Sequence, residues 1–176
     1  MKIVAPYYSQ YLDVVSAEWR PRACGIVCLK ILLESRGVSL PLIDEMIEQG
    51  VAIGAYGEHG WKHDGLVALA GHYGAKLNRE EWRKSDVKTE EELNEDGIQF
   101  IISEIRAFRA VIVSAIKKFQ ESDKFHMVVL SGLEEKNGEV VGFYYHDPDA
   151  EGSDDGKNMF VPIDIFRKNW RRMAIF

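Results

Sequence analysis

The chain has 176 residues, of which 46% are hydrophobic and 28% charged, the balance of a globular protein that can bury a core without covalent cross-links. A formal net charge of −6 argues against a nucleic-acid partner, and the one basic cluster (Arg167, Lys168, Arg171 and Arg172) is interpreted as a solvated helix face and strand flank. Two cysteines are too few for a disulfide scaffold, and no apolar run suits a signal peptide or a membrane span. We therefore expect a single cytoplasmic domain over residues 1–176. A processed secreted chain would have the same composition.

The first part of the chain is predicted to be extended and then mostly helical. Residues 3–11 form an extended segment, and Pro21 marks a turn before the first helix. Helices are predicted over residues 23–36, 39–49, 63–73 and 89–108. The first is apolar around most of its surface and is therefore expected to be buried, while Thr89 and Glu92 form a capping box at the start of the last. The glycine-rich stretch 50–60 is predicted to be a mobile or tightly turned loop.

Beyond residue 110 the pattern becomes that of β-strands. Runs of β-branched and aromatic residues predict strands over residues 110–116, 125–133, 140–145 and 173–176, with a short helix from about residue 162 to residue 170. Asn137-Gly138 is a strong signal for a tight hairpin between the second and third of these strands. The predicted fold class is α+β, with a helical N-terminal half packed on an antiparallel sheet from the C-terminal half. The cleft is expected where the buried helix meets the sheet.

Three residues stand in local structures that would make them chemically useful. Cys24 opens the buried helix, where free N–H groups and the helix dipole favour a thiolate. His126 begins a strand, and Asp147 ends the next one. Because the hairpin turns back on itself, Asp147 returns close to His126. A thiol, an imidazole and a carboxylate in this order predict nucleophilic catalysis by a triad.

Each of these residues also has an ordinary structural explanation. Cys24 alone could be a small buried hydrophobe, His126 a core histidine with satisfied hydrogen bonds, and Asp147 the start of an Asp-Pro turn. Cys28 fits a structural role better than Cys24, because it lies inside the helix where no N–H group is free. A Cys24–Cys28 disulfide within one helix is geometrically poor.

Over nearly its whole length the sequence resembles the papain-like cysteine peptidases related to the bacteriocin-processing, double-glycine leader peptidases. The matching segments are Pro6-Tyr7-Tyr8-Ser9-Gln10, Ala23-Cys24-Gly25, the stretch 60–66, the stretch 125–132, His146-Asp147-Pro148, and Phe166 with Trp170. The resemblance implies a papain-like fold with Cys24 as nucleophile, His126 as base and acid, and Asp147 as orienting carboxylate. It also implies Gln10 as an oxyanion-hole donor, a residue that would otherwise be interpreted as an exposed glutamine. We expect the catalytic pattern, rather than double-glycine specificity, to carry over.

The predicted function is therefore hydrolysis of a peptide bond through an acyl-enzyme, with a peptide or protein as the partner and no cofactor. An acyltransferase, transglutaminase or amidase with the same triad, and a peptide-binding module that does not turn over, remain alternatives. His59 and His63 are four residues apart, but Gly60 between them argues against a shared helix face, so no metal site is predicted. The acidic loop of Asp147, Asp149, Glu151, Asp154 and Asp155 is interpreted as solvated rather than as a calcium site.

Overall fold

The computed structural model describes residues 1–120 and 124–176. Its helices are α1 (Cys24–Ser35), α2 (Ile43–Ala52), α3 (His63–His72), α4 (Glu90–Arg106) and α5 (Ile163–Asn169). Its strands are β1 (Tyr56–Gly57), β2 (Gly60–Trp61), β3 (Arg79–Glu81), β4 (Val111–Ile116), β5 (Phe125–Lys136), β6 (Glu139–His146), β7 (Met159–Pro162) and β8 (Trp170–Ile175). Helices dominate up to residue 106 and strands thereafter, so the predicted α+β class is confirmed.

Six of these strands form one antiparallel sheet in the order β3-β8-β4-β5-β6-β7. Neither β3 nor β7 is among the strands predicted from the sequence. The first has only three residues, Arg79–Glu81, all charged, and therefore lacks the apolar alternation that marks a half-buried strand. The expectation that the sheet comes only from the C-terminal half is incomplete, because β3 precedes α4 and pairs with β8 at one edge.

The hairpin of β5 and β6 forms at the predicted turn. Asn137 and Gly138 have φ values of 53° and 86°, and both central residues of a type I′ turn must adopt this left-handed region. Lys136 pairs with Glu139 directly beside the turn. Both strands are longer than predicted, and they return residue 147 to the level of the start of β5.

Helices cover both faces of this sheet. Nine consecutive residues of α1, from Gly25 to Leu33, are buried, as its apolar surface predicted. Alternate residues of β5 point to opposite sides, with Met127 and Val129 in a core shared with α1, α2 and α3, and Val128 and Leu130 in a second core shared with α4 and α5. The buried helix α1 therefore lies directly against the central strands.

The glycine-rich stretch 50–60 is more ordered than a loop. Gly50 belongs to α2, and a Cβ at this position would lie only 2.7 Å from the ring of Trp61. The remainder folds into the small sheet of β1 and β2, in which Tyr56 pairs with Trp61. The tightly turned alternative is therefore the correct one. The second helix begins at Ile43 rather than at residue 39, after the segment that contains Pro41.

The N-terminus of α4 has the predicted capping box. The Glu92 N–H donates to Thr89 Oγ1 at 3.2 Å, and the Thr89 N–H donates to Glu92 Oε2 at 2.7 Å. Within residues 1–120 and 124–176, every helix is too short or too polar to cross a membrane.

A pair of glycine substitutions tests how tightly α4 packs on the sheet. A Cβ at Gly97 would lie 2.4 Å from the ring of Trp170 and 2.8 Å from that of Trp82, whereas a Cβ at Gly71 of α3 would meet no atom within 4 Å. Both changes to alanine favour the helix by roughly 1 kcal/mol, but overpacking at Gly97 costs about 1–3 kcal/mol. In urea unfolding, Gly97→Ala is expected to lower the free energy of unfolding relative to Gly71→Ala. Equal stabilisation by both would contradict the packing described here.

Candidate active site

Cys24 is the first residue of α1 and lies at the floor of a cleft between that helix and the sheet. Its thiol lies close enough to His126 and to the backbone N–H groups of Met127 and Gly25 for each of them to lower its pKa. Burial raises the pKa of Cys24, but the hydrogen bond and positive charge of His126, together with the two N–H groups, outweigh it, and the net pKa lies below that of an ordinary thiol. The surroundings of Cys24 therefore favour the thiolate.

His126 and Asp147 form a buried ion pair. His126 Nε2 lies 2.6 Å from Asp147 Oδ1, and the two side chains are only 6% and 4% exposed. Burial alone would lower the pKa of His126, but the hydrogen bonds and negative charges of Asp147 and Cys24 raise it well above its usual value. Burial would likewise raise the pKa of Asp147, and contact with His126 holds it below its usual range. With Nε2 engaged, Nδ1 is the ring nitrogen left for Cys24. The structure thus brings together the three residues that the sequence singled out.

Gln10 is buried beside the loop that follows β6. Its N–H donates to the carbonyl of Pro148 at 2.8 Å, and its Nε2 donates to Asp149 Oδ1 at 3.3 Å. The neighbouring carboxylate fixes the amide with its NH₂ group towards Asp149, since the opposite orientation would bring two oxygens together. The interpretation as an exposed glutamine is wrong, because Gln10 is 2% exposed. The side-chain amide also contacts the Tyr11 hydroxyl, and its Oε1 is buried without a hydrogen-bond partner in the described part of the chain.

The loop after β6 is more buried than the sequence suggested. Asp149 accepts hydrogen bonds from Gln10 and from Tyr11, the latter at 2.9 Å, and forms an ion pair with Lys117 at 2.7 Å. Its N–H donates to Asp147 Oδ1, the oxygen that also contacts His126. The interpretation of this acidic loop as solvated is therefore wrong for Asp147 and Asp149. No local pattern marked Asp149, since its partners lie far away in the sequence.

Cys28 and His146, the residue before Asp147, are both buried in the protein interior. The Cys28 thiol donates to the Met127 carbonyl at 3.3 Å, and burial raises its pKa well above that of a free thiol. His146 is 1% exposed, its Nδ1 accepts the N–H of Asn158 at 3.0 Å, and burial lowers its pKa to about 4. His146 is therefore neutral near physiological pH, in contrast to His126.

A cavity of about 660 Å³ opens over Cys24 and His126. Its walls come from the β1–β2 hairpin, from the turn before α1 and from the starts of β5 and β8; they include Tyr56, Glu58, His59, Trp61, His63, Arg22, Phe125 and Arg171. His59 lies in the hairpin turn and His63 begins α3, and within residues 1–120 and 124–176 no three His, Cys, Asp or Glu side chains gather as a metal site requires. Arg171, which the sequence analysis assigned to a solvated strand flank, is half-buried in β8 and lines this cavity.

The comparison with protein families matches this architecture. A family model described as the Peptidase_C39-like family covers residues 2–174. The chain belongs to that family. The resemblance found in the motifs is thereby confirmed, and this member of the Peptidase_C39-like family is a cysteine-type peptidase, a hydrolase. No curated protein sequence gave a significant match.

Solved structures share its fold at low sequence identity. A putative C39-like peptidase from Bacillus anthracis superposes with a TM-score of 0.69 at 15% identity, over 99% of this chain and 96% of that one. A double-glycine motif protease from an AMS/PCAT transporter, solved in complex with the leader peptide, gives 0.60 at 16% identity, over 99% and 91%. The peptidase domain of Streptococcus ComA, a bifunctional ABC transporter, gives 0.57 at 18% identity, over 89% and 90%. These similarities establish the papain-like fold of the Peptidase_C39-like chain.

The ionisation of the two thiols supplies a direct test of the site. Alkylation by iodoacetamide is followed by mass spectrometry from about pH 5 to about pH 9. We expect Cys24 to react well below the pKa of about 8.5 of a free thiol, and Cys28 to stay unmodified throughout. His126→Gln should move the profile of Cys24 to higher pH, because burial then raises its pKa without an opposing positive charge.

The matched controls are Cys24→Ala and Cys28→Ala, two equal truncations in the same helix. Only the first should abolish labelling. Modification of Cys28, or a Cys24 profile that follows a free thiol, would contradict the electrostatics described for this cleft.

Proposed function

We propose that this chain hydrolyses peptide bonds with Cys24 as nucleophile, His126 as general base and acid, and Asp147 as the carboxylate that orients the imidazole. The observation that carries the proposal is a buried imidazole that lies 2.6 Å from a carboxylate and acts electrostatically on the neighbouring Cys24 thiol. The directions of the pKa shifts support a resting state of thiolate and imidazolium. In that state the nucleophile is already deprotonated and the proton needed by the leaving group is already in place.

In the first half of the reaction, the Cys24 thiolate attacks the scissile carbonyl carbon. The oxyanion that forms is stabilised by the N–H groups at the start of α1 and by the side-chain NH₂ group of Gln10. When the intermediate collapses, the C–N bond breaks and the amine leaves with the proton of His126. A thioester on Cys24 and a neutral imidazole remain.

In the second half, His126 takes a proton from a water molecule that attacks the thioester. The C–S bond breaks, the acid product departs, and the thiolate and the imidazolium are restored. Asp147 keeps its charge throughout and holds the ring through Nε2, so that Nδ1 exchanges the protons. The atoms and charges balance without any cofactor.

A peptide substrate is supported by two observations. A solved structure of the same fold is a protease in complex with its leader peptide. The cavity over Cys24 is open and lined by both aromatic and charged side chains, a mixture suited to an extended peptide rather than to a small apolar ligand. Acyl transfer to an amine is the second candidate, because the same thioester would serve both reactions and only the acceptor differs.

Product analysis tests the proposal. A peptide mixture incubated with the protein is expected to yield defined cleavage products by mass spectrometry, and rapid quenching should reveal a thioester adduct on Cys24. Cys24→Ala and His126→Ala should each reduce turnover by about a thousandfold or more, and the double variant should be no worse, because the two residues act as one unit. Cys28→Ala should retain turnover.

Several results would overturn the proposal or its hydrolytic form. Turnover that survives Cys24→Ala, or losses that multiply in the double variant, would contradict the catalytic pair. Exclusive formation of amides when an amine is added, with no free acid, would replace hydrolysis by acyl transfer.

The role proposed for Gln10 can be separated from a merely structural one. Gln10→Ala is expected to lower kcat by about 10²–10³-fold with little change in KM, because an oxyanion donor acts mainly in the transition state. Tyr11→Phe removes a neighbouring hydrogen bond to the same Asp149 carboxylate and should change kcat little. An equal loss in both variants would mean that Gln10 only fixes the loop.

A further inference from the structure

The cavity beside Cys24 has an uneven charge. Two guanidinium groups, those of Arg22 and Arg171, line it, while the one carboxylate among its described lining residues belongs to Glu58, exposed at the tip of the β1–β2 hairpin. Arg22 is itself exposed and lies 3.6 Å from Glu18. Arg171 is less exposed than Arg22, and it forms no ion pair with the residues that the structure describes.

The guanidinium of Arg171 packs on an aromatic ring and forms no ion pair within the described part of the chain. Its central carbon lies 3.5 Å from the centroid of the Phe125 ring, and Phe125 directly precedes His126 in β5. Across residues 1–120 and 124–176, no carboxylate comes within 4.0 Å of its nitrogens. A guanidinium stacked flat on a ring keeps its N–H donors at the edge of the plane, free for a planar acceptor.

The backbone of β8 is distorted where Arg171 enters the cavity. Ala115 of β4 pairs with Trp170 and Val113 pairs with Ala174. Between these two pairs β8 therefore contains two more residues than β4, which makes a β-bulge. Arg172 has a φ of 55°, and the Trp170 indole N–H closes the bulge on the Met173 carbonyl at 2.9 Å. Bulges re-aim side chains, and left-handed non-glycine residues persist only where surrounding contacts enforce them. This bulge lies beside a side chain that enters the catalytic cavity.

Neighbouring groups add to the positive field around Arg171. The Arg83 Nε donates to the Arg171 carbonyl at 3.0 Å, and its Nη2 is buried without a hydrogen-bond partner in the described part of the chain. The nearby Glu81 is already engaged by Arg79 at 2.9 Å and by Arg83 at 3.7 Å. At Arg171 the positive charge of Arg83 therefore outweighs the negative charge of Glu81.

We propose that Arg171 forms a subsite for a carboxylate of the peptide substrate. The guanidinium matches a carboxylate in shape, hydrogen-bonding capacity and charge. His126, Ala115 and Trp170 lie on three adjacent strands, so the backbone next to Arg171 is two strand spacings, roughly 10 Å, from the backbone of His126. An extended chain advances about 3.3 Å per residue, which puts the recognised carboxylate within about three residues of the scissile bond. This inference rests on the proposed peptidase function and names its preferred substrate class.

Paired peptides test this subsite. Each pair is identical except for glutamate or glutamine at one position within about three residues of the scissile bond identified by product analysis. At one position the parent protein is expected to prefer glutamate by about tenfold or more in kcat/KM, the effect of a charge-assisted hydrogen bond. Arg171→Met keeps an unbranched side chain against Phe125 and should bring that ratio to about one. Arg171→Lys should retain part of the preference, and Arg171→Glu should favour lysine at the same position.

The control variant is Arg106→Met, which removes one positive charge from an exposed pair with Glu135 outside the cavity. It should keep the parent preference, since it changes the net charge by the same amount. The alkylation profile of Cys24 in Arg171→Met shows whether the variant is folded with its cleft intact. Peptides that end at the recognised position, with a free or an amidated terminus, distinguish a side-chain carboxylate from a terminal one.

A parent protein without preference at any position, or a preference that survives Arg171→Met, would overturn the subsite. If no peptide is cleaved, peptide pairs that carry glutamate or glutamine at each position in turn are tested for binding to Cys24→Ala by fluorescence anisotropy. A glutamate preference that disappears with Arg171→Met would then sustain the subsite although the proposed hydrolysis had failed. Equal binding of both peptides would reject it.

Discussion

The contact between His126 and Asp147 is the constraint on which the rest of the site depends. Both side chains are nearly inaccessible to water, and an isolated charge at such a position costs several kcal/mol in lost hydration. Their mutual hydrogen bond offsets that loss, and the Asp149 N–H supplies a further donor to the same carboxylate oxygen. An imidazole held in this way has a raised pKa, and the pKa of the neighbouring Cys24 is lowered. Loss of either partner would leave the other buried and uncompensated.

This arrangement requires distant parts of the chain to meet with little freedom. The hairpin of β5 and β6 brings Asp147 to His126, and the packing of α1 on β5 brings Cys24 to the same imidazole. The N-terminal segment then fixes the loop after β6, because Gln10 binds the carbonyl of Pro148 and the carboxylate of Asp149. Lys117 and Tyr11 hold Asp149 from two other directions. The loop that carries Asp147 is therefore held by backbone and side-chain contacts from two separate segments, one at Gln10 and Tyr11 and one at Lys117.

The sequence predicted the features that are determined by residues close together in the chain, such as the hairpin turn and the helix cap. The turn at Asn137-Gly138 needs two left-handed residues, and the capping box of Thr89 needs one glutamate three positions on, so both can be recognised from a few letters. The approach of Asp147 to His126 also followed, because a hairpin fixes its own register. The proposed role of Gln10 as an oxyanion-hole donor was implied only by the family resemblance, since an isolated glutamine carries no local signal of burial.

Features that arise from tertiary packing were missed for the same reason. The charged strand of residues 79–81 forms only because β8 offers an edge for it. In the sequence, Asp149 is one of several acidic residues of a loop that is predicted to be solvated. Its burial results from contacts with Lys117 and Tyr11, which lie in separate parts of the chain. Arg171 shared a run of basic residues with Arg172, and a two-residue bulge in β8 separates their environments. A bulge of this kind depends on strand pairing, which the sequence of β8 alone does not specify.

The charges of the site and of the whole chain act over different distances. In the proposed resting state, a thiolate, an imidazolium and a carboxylate give the site a net negative charge, and the chain carries a formal charge of −6. An acidic peptide is therefore repelled at long range, although salt screens this repulsion beyond about 8–10 Å. Arg171 can act only within the cavity, after the peptide has arrived. Recognition of a carboxylate there should consequently slow the release of the correct peptide rather than speed its approach, since fixed short-range contacts determine dissociation whereas the overall field determines encounter.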